Sequence, residues 1–224
     1  MNESSFFKNT VSAKDQLKDT QFIQYHLKEN AKLKVLFVGN SITRHEKAEH
    51  LGWMRCCGMA ASCLEKDYVH LVVKGLEEKY GDISYCVTTA VGWEYDFAHG
   101  DEVLKQYEQL KEFDADIVIL RIGENSNREQ LADNDYEEAF DKMAKFFYGN
   151  AKKKVLTSLF WRYDPFDIPI ASVAKKNGYT FVSLNEFGAR DDCKAYGEYE
   201  HGGVAQHPND KGMEEIANAI LKVL

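Results

Sequence analysis

Five short, nearly unbroken apolar runs recur along the chain, at 34–39 ("KVLFVG"), 83–89 ("ISYCVTT"), 117–122 ("IVILRI"), 154–160 ("KVLTSLF") and 180–184 ("TFVSL"). They lack a strict apolar–polar alternation, so each reads as a strand buried on both faces. Between them the spacing changes to three and four. Tyr68, Val69, Val72, Val73, Leu76 and Tyr80 share one helical face, as do Tyr136, Phe140, Met143 and Phe147. Met213, Ile216, Ala217, Ile220, Leu221 and Leu224 form an unbroken stripe at the end of the chain. Strands alternating with helices predict a parallel sheet with right-handed crossovers and helices on both faces. The expected architecture is one α/β domain over 31–224, a flavodoxin-like three-layer sandwich with a five-stranded parallel sheet in the order 2-1-3-4-5. Residues 1–30 are polar and read as an N-terminal extension with a helix around "DQLKDTQFIQYHLKEN".

Ligands of such sheets bind outside the carboxyl ends of the strands. The residues just past those ends are Gly39-Asn40-Ser41, Ala90-Val91-Gly92-Trp93 and Gly123-Glu124-Asn125-Ser126, with "HGGVAQHPNDKGM" before the last helix. Ser41 falls in a turn expected to lead from strand to helix, where a helix N-terminus favours a developing anion. Capping that helix is its ordinary alternative role. His207 sits in a loop before the final helix, which Asn209 or Asp210 would cap. Ester cleavage by a serine needs a base for the hydroxyl proton and donors for the tetrahedral oxyanion. Ser41 and His207 supply the pair, and the N–H groups of Ser41 and Gly92 with the Asn125 amide supply three donors. Taken singly, Gly92 serves as a turn glycine, Asn125 as a loop amide and His207 as a loop residue; together, in this order, they point to one site.

This order of blocks, "VGNSIT", the glycine of "AVGWE", "RIGEN" and "HPNDKGM", resembles the SGNH (GDSL-like) hydrolase superfamily from residue 33 to the end of the chain. The resemblance implies a Ser41 nucleophile, a His207 base, an oxyanion hole of Ser41, Gly92 and Asn125, and neither metal nor organic cofactor. Three positions depart from the family. Gly39-Asn40-Ser41 replaces the commoner Gly-Asp-Ser, and Asn40 can still hold the turn through its own backbone. Gly123-Glu124-Asn125 replaces Gly-Asn-Asp but keeps the asparagine. Val204 stands where the family carries an acid, three residues before the histidine. A triad needs a group to orient the imidazole. A backbone carbonyl could do so, or a carboxylate among Glu198, Glu200, Asp191 and Asp192; otherwise the chain is a weakly active or inactive binding module.

Composition narrows the partners. The net charge of −8, with both signs mixed along 224 residues, argues against a nucleic-acid binder. No apolar run approaches the ~20 residues of a membrane span. The start of the chain lacks a signal-peptide pattern. Cys56, Cys57, Cys63, Cys86 and Cys193, an odd count, fit reduced thiols in a cytoplasm. Cys56-Cys57 has neither redox nor metal-site spacing, and His45, His99 and His201 make no compact ligand set with His207. Glu124 reads either as a group that tunes His207 or, more commonly at a strand end, as an exposed carboxylate, and the lysines of 151–155 as a solvated lead-in to the fourth strand. Trp53, Trp93 and Trp161, with Met54 and Met59, are candidates for a substrate pocket or for the core. Tryptophans beside a hydroxyl-binding cleft favour a sugar as the alcohol. The expectation is a serine esterase acting on a small acyl ester, acetyl above all, of a small molecule or carbohydrate. The alternatives are an acyltransferase using the same Ser–His pair and a binding module without turnover.

Overall fold

The computed structural model describes residues 17–224. In chain order its strands and principal helices are β1 (Ile23–His26), β2 (Leu33–Gly39), α1 (Tyr68–Tyr80), β3 (Ile83–Thr89), α2 (Val91–Tyr95) and β4 (Ile117–Arg121). There follow α3 (Tyr136–Tyr148), β5 (Lys153–Thr157), α4 (Asp164–Asn177), β6 (Thr180–Val182), α5 (Gly202–Ala205) and α6 (Asp210–Leu221). One sheet holds the six strands in the order β1-β3-β2-β4-β5-β6. Strands β2 to β6 are parallel to one another and keep the expected order.

The continuous apolar runs have the predicted cause. Val35 and Phe37 of β2 face α1 and α6 across Val69, Val72, Leu76, Met213, Ile216 and Ile220. Leu36 and Val38 face the opposite layer, against Phe140 and Met143 of α3 and Ile170 and Val173 of α4. Alternate residues point to opposite faces, and both faces are covered. Asp67, Asp135 and Asn209 cap α1, α3 and α6 by accepting backbone N–H groups.

The sheet has a sixth strand that the sequence pattern did not predict. Within the described part of 15–30, residues 23–26 form β1, antiparallel to β3, where a helix was expected. Thr20 Oγ1 accepts the N–H groups of Phe22 and Ile23, and Asp19 accepts that of Tyr25, which fixes an extended entry. β1 covers the outer edge of β3. Residues 1–16 lie outside the described part. β5 ends at Thr157 rather than 160, where Ser158 turns its hydroxyl to accept the Leu184 N–H.

Register then positions the chemistry. Gly39 is paired with Thr89 on one side and Arg121 on the other, so β2, β3 and β4 end at one level. The residues that follow them necessarily meet above the sheet. A Cβ at Gly39 would lie 1.8 Å from Thr43 Oγ1 and 2.7 Å from the Arg121 carbonyl oxygen. Gly39→Ala is therefore expected to cost ~2 kcal/mol or more through overpacking. A denaturant midpoint equal to that of the parent would refute this. Among the described residues no helix is long and apolar enough to cross a membrane. The five cysteines are free, with Cys57, Cys86 and Cys193 buried.

Candidate active site

Past β2 the chain turns on Asn40, whose carbonyl accepts the N–H groups of Thr43 and Arg44 at 2.9 and 3.0 Å. No helix follows directly: residues 41–43 are a turn, and the next helical segment is the short one at Glu49–Leu51. Ser41 therefore neither caps a helix nor sits at a helix N-terminus, which corrects the expectation for this turn. The Asn40 side chain does reach back to its own turn, accepting from Ile42 N, though at 3.4 Å.

His207 lies between α5 and α6. Its backbone N–H bonds to the Val204 carbonyl and its carbonyl accepts from Ala195 N, so the loop is tied at both sides. Ser41 Oγ is 2.8 Å from His207 Nε2, and His207 Nδ1 is 2.7 Å from the Gly203 carbonyl oxygen. A carbonyl only accepts, so Nδ1 carries the proton and Nε2 is the basic nitrogen facing the serine. Trp161 packs edge-on against the imidazole, with ring centroids 5.1 Å apart. Burial, opposed in part by the Gly203 bond, lowers the imidazole from its ordinary value to about 4.

The carboxylates proposed as a third member are elsewhere. Asp192 pairs with Arg190 and Lys211, and Asp191 with Lys194, while Glu198 and Glu200 are exposed and make no bond to His207. Val204 is 1% exposed and packs into the core, so the position three before the histidine does not face it with a polar group. The backbone of Gly203 takes that place.

A cleft of about 420 Å³ opens beside this pair. Ser41, Asn40, Asn125 and His207 form its floor, with Phe22, Leu51, Met59, Val91 and Tyr95 as apolar walls and Arg44, His45, Glu46 and His201 at its polar side. Gly92 is the second residue of α2, where helix N–H groups have no intrahelical carbonyl. Its neighbour Val91, and not Gly92, lines the cleft. Two of the three tryptophans are core residues: Trp53 is fully buried, and Trp93 is 1% exposed among Phe97, Tyr136 and Phe140. Both are too deep to meet a ligand; Trp161 reaches the site only through its contact with His207. Met59 lines the cleft and Met54 does not. His99 pairs with Asp96 at the surface, and among the described residues no cluster of three or more His, Cys, Asp or Glu is placed to hold a metal.

Beneath the floor lies a buried polar network that sequence patterning missed. Arg121 and Glu94 are fully buried, and the Glu124 side chain is 4% exposed. Glu124 is thus not a solvated carboxylate: it pairs with Arg121 and accepts from Phe160 N and Asn40 Nδ2. Burial, the largest single influence, would raise its carboxyl, but the Arg121 charge and the bonds from Phe160 N, Arg121 and Asn40 together hold it below its ordinary value. Asn40 Oδ1 accepts from Arg121, and Asn40 Nδ2 donates to Glu94 and Glu124 at 2.9 and 2.7 Å. The only sequence signal was that both glutamates and the arginine stand within four residues of expected site positions. Gln21 and Phe22 were missed because they precede the first strand that patterning recognised.

No family profile matches this chain, and no curated protein matches it. Solved structures do resemble it in fold. An α/β hydrolase from the metagenome of Lake Arreo, Spain, is similar with a TM-score of 0.52 and 18% identity, over 86% of this chain and 94% of that one. The acetylxylan esterase Axe2 of Geobacillus stearothermophilus is similar with a TM-score of 0.53 and 18% identity, over 88% of this chain and 95% of that one. A catalytic mutant of the same esterase gives 0.55 at 18% identity over the same shares. At such identities the likeness is one of fold.

Proposed function

We propose that the protein is a serine ester hydrolase of the SGNH (GDSL-like) type, cleaving small acyl esters, acetyl above all, with a carbohydrate as the alcohol. The observation that carries this reading is the 2.8 Å contact of Ser41 Oγ with the basic nitrogen of an imidazole whose other nitrogen is held by Gly203. Ser41 Oγ adds to the acyl carbon as its proton passes to His207 Nε2. The oxyanion rests on the N–H groups of Ser41 and Gly92 and one N–H of Asn125. Collapse expels the alcohol, which takes the proton back from His207. Water then repeats the sequence on the acyl-enzyme, releasing the acid and restoring Ser41. A cleft of about 420 Å³ with apolar walls and a polar side suits a short acyl chain joined to a polar alcohol. The fold likeness to an acetylxylan esterase supports the same substrate class.

Gly203 performs only part of a triad acid's work. It fixes the tautomer and the ring, whose loss in a protease with Asp replaced by Asn costs ~10⁴ in rate. It does not supply a negative charge for the imidazolium. This gap favours, as a second reading, a sugar-binding module without turnover. The two are separated by incubating the protein with p-nitrophenyl acetate and acetylated xylo-oligosaccharides. Released acetate, absent from Ser41→Ala, supports the hydrolase; calorimetric sugar binding with no acetate released supports the module. Transfer of the acetyl group to an added sugar acceptor would move the reading to an acyltransferase.

A further inference from the structure

We infer that Glu94 is the positioning residue of the oxyanion site, one buried carboxylate that fixes Asn40, α2 and Asn125 relative to one another. The inference rests on the hydrolase reading. Glu94 Oε1 accepts from Asn40 Nδ2 at 2.9 Å, Gly123 N at 2.7 Å and Asn125 N at 3.1 Å, and Oε2 accepts from Asn125 Nδ2 at 2.9 Å. Its own carbonyl accepts from Asn127 N at 2.8 Å. Each proposed oxyanion donor is thus one link away. Ser41 follows Asn40, Gly92 stands two residues before Glu94 on the same helix, and Asn125 is bonded directly. The Asn125 amide has two N–H bonds; Glu94 takes one and leaves the other for the cleft that Asn125 lines.

Only an acceptor fits here, because all four partners at the carboxylate are N–H donors. An amide at this position would set N–H against N–H and turn the Asn125 side chain over. The same holds for a protonated carboxyl. The titratable and charged groups facing Glu94 are Arg121 at the end of β4, Glu124 just past it, Tyr136 of α3 and Tyr107. Arg121 is already bonded to Glu124, and both tyrosines are raised above their ordinary range by burial. Burial first, and then the neighbouring Glu124, push Glu94 up to about 7. Within this group Glu94 alone titrates near neutrality.

The test measures kcat and KM on p-nitrophenyl acetate between about pH 5 and 9 for the parent, Glu94→Gln, Asn125→Ala and the double variant. Glu94→Gln is expected to lose ~10²–10³ in kcat, the scale of one oxyanion donor, with little change in KM. The double variant should lose less than the product of the two single losses, because Glu94 acts in part through Asn125. In the parent, kcat should fall as pH drops through about 7, where Glu94 takes up its proton. That limb should vanish in Glu94→Gln, so that kcat no longer falls as pH drops through about 7. An unchanged kcat in Glu94→Gln, additive losses, or the limb near 7 persisting there would each overturn the inference while the parent remains active. If Glu94→Gln does not fold, Glu94→Gln/Asn125→Asp restores a donor–acceptor pair between the two side chains. Recovery of a cooperative melt without turnover then supports the pairing, and no recovery overturns it. A parent inactive toward the ester would overturn the hydrolase reading and this inference together.

Discussion

Ser41→Ala is expected to abolish ester turnover while leaving the melting temperature of the protein nearly unchanged. In a complete triad, loss of the serine or the histidine alone costs ~10⁶ in kcat. Here the imidazolium has a carbonyl instead of a carboxylate beside it, so the parent starts from a lower rate and has less to lose. The expected loss is ~10³–10⁵, the remainder coming from the oxyanion donors and binding. His207→Ala should lose as much, and the double variant no more than either single one, because neither group works without the other. Stability should move by ~1 kcal/mol or less for Ser41→Ala, since the half-buried hydroxyl has one side-chain partner. Steady-state rates on an acetyl ester, with thermal melts alongside, check both halves. A folded Ser41→Ala variant that retains turnover would remove the serine mechanism.

Asn40→Asp should have the largest effect on stability, although it recreates the Gly-Asp-Ser from which Gly39-Asn40-Ser41 departs. Asn40 is 1% exposed, and its Nδ2 stands within 2.9 Å of Glu94 and 2.7 Å of Glu124. A carboxylate oxygen there would face two others in a space with one arginine. Removing a buried donor and adding an unpaired charge costs ~3–5 kcal/mol. The new carboxyl would have its folded pKa raised above its unfolded value of ~3.9, so the folded state binds more protons between the two. Its penalty should therefore be smallest below about pH 4 and grow as pH rises through the raised pKa. Denaturant melts at acid and neutral pH measure this. A variant as stable as the parent at neutral pH would refute the account of the network. The same geometry explains the departure from Gly-Asp-Ser: with Glu94 and Glu124 below, this turn needs a side chain that donates on one side and accepts on the other.

The strands were legible because burial on both faces leaves a continuous apolar run, as in Val35–Val38, that few other structures produce. The order of site residues was legible because strands in register end together, which brings Ser41 and Asn125 to one cleft. β1 was not, because four residues of mixed character on an antiparallel edge carry little pattern, and their neighbours mimic helical spacing. Of the two readings open for Trp53 and Trp93, pocket or core, the structure takes the core one, because aromatic residues near a site in sequence can point into the core beneath it. Glu94, Arg121 and Glu124 were invisible as a network for a related reason. Charged residues at or just past strand ends and on short helices look solvated until the partners that satisfy them are known. Gly203 could not be named from sequence at all, since every residue carries a carbonyl and only the loop's path selects one.

The most direct test of the central claim is mass spectrometry of the purified protein after treatment with a fluorophosphonate, with Ser41→Ala and His207→Ala in parallel. A base at hydrogen-bond distance and an oxyanion site make a serine reactive toward such a probe. The account predicts one adduct on Ser41, lost in both variants. A folded protein that takes no label, or that is labelled at Ser41 equally well without His207, would contradict it.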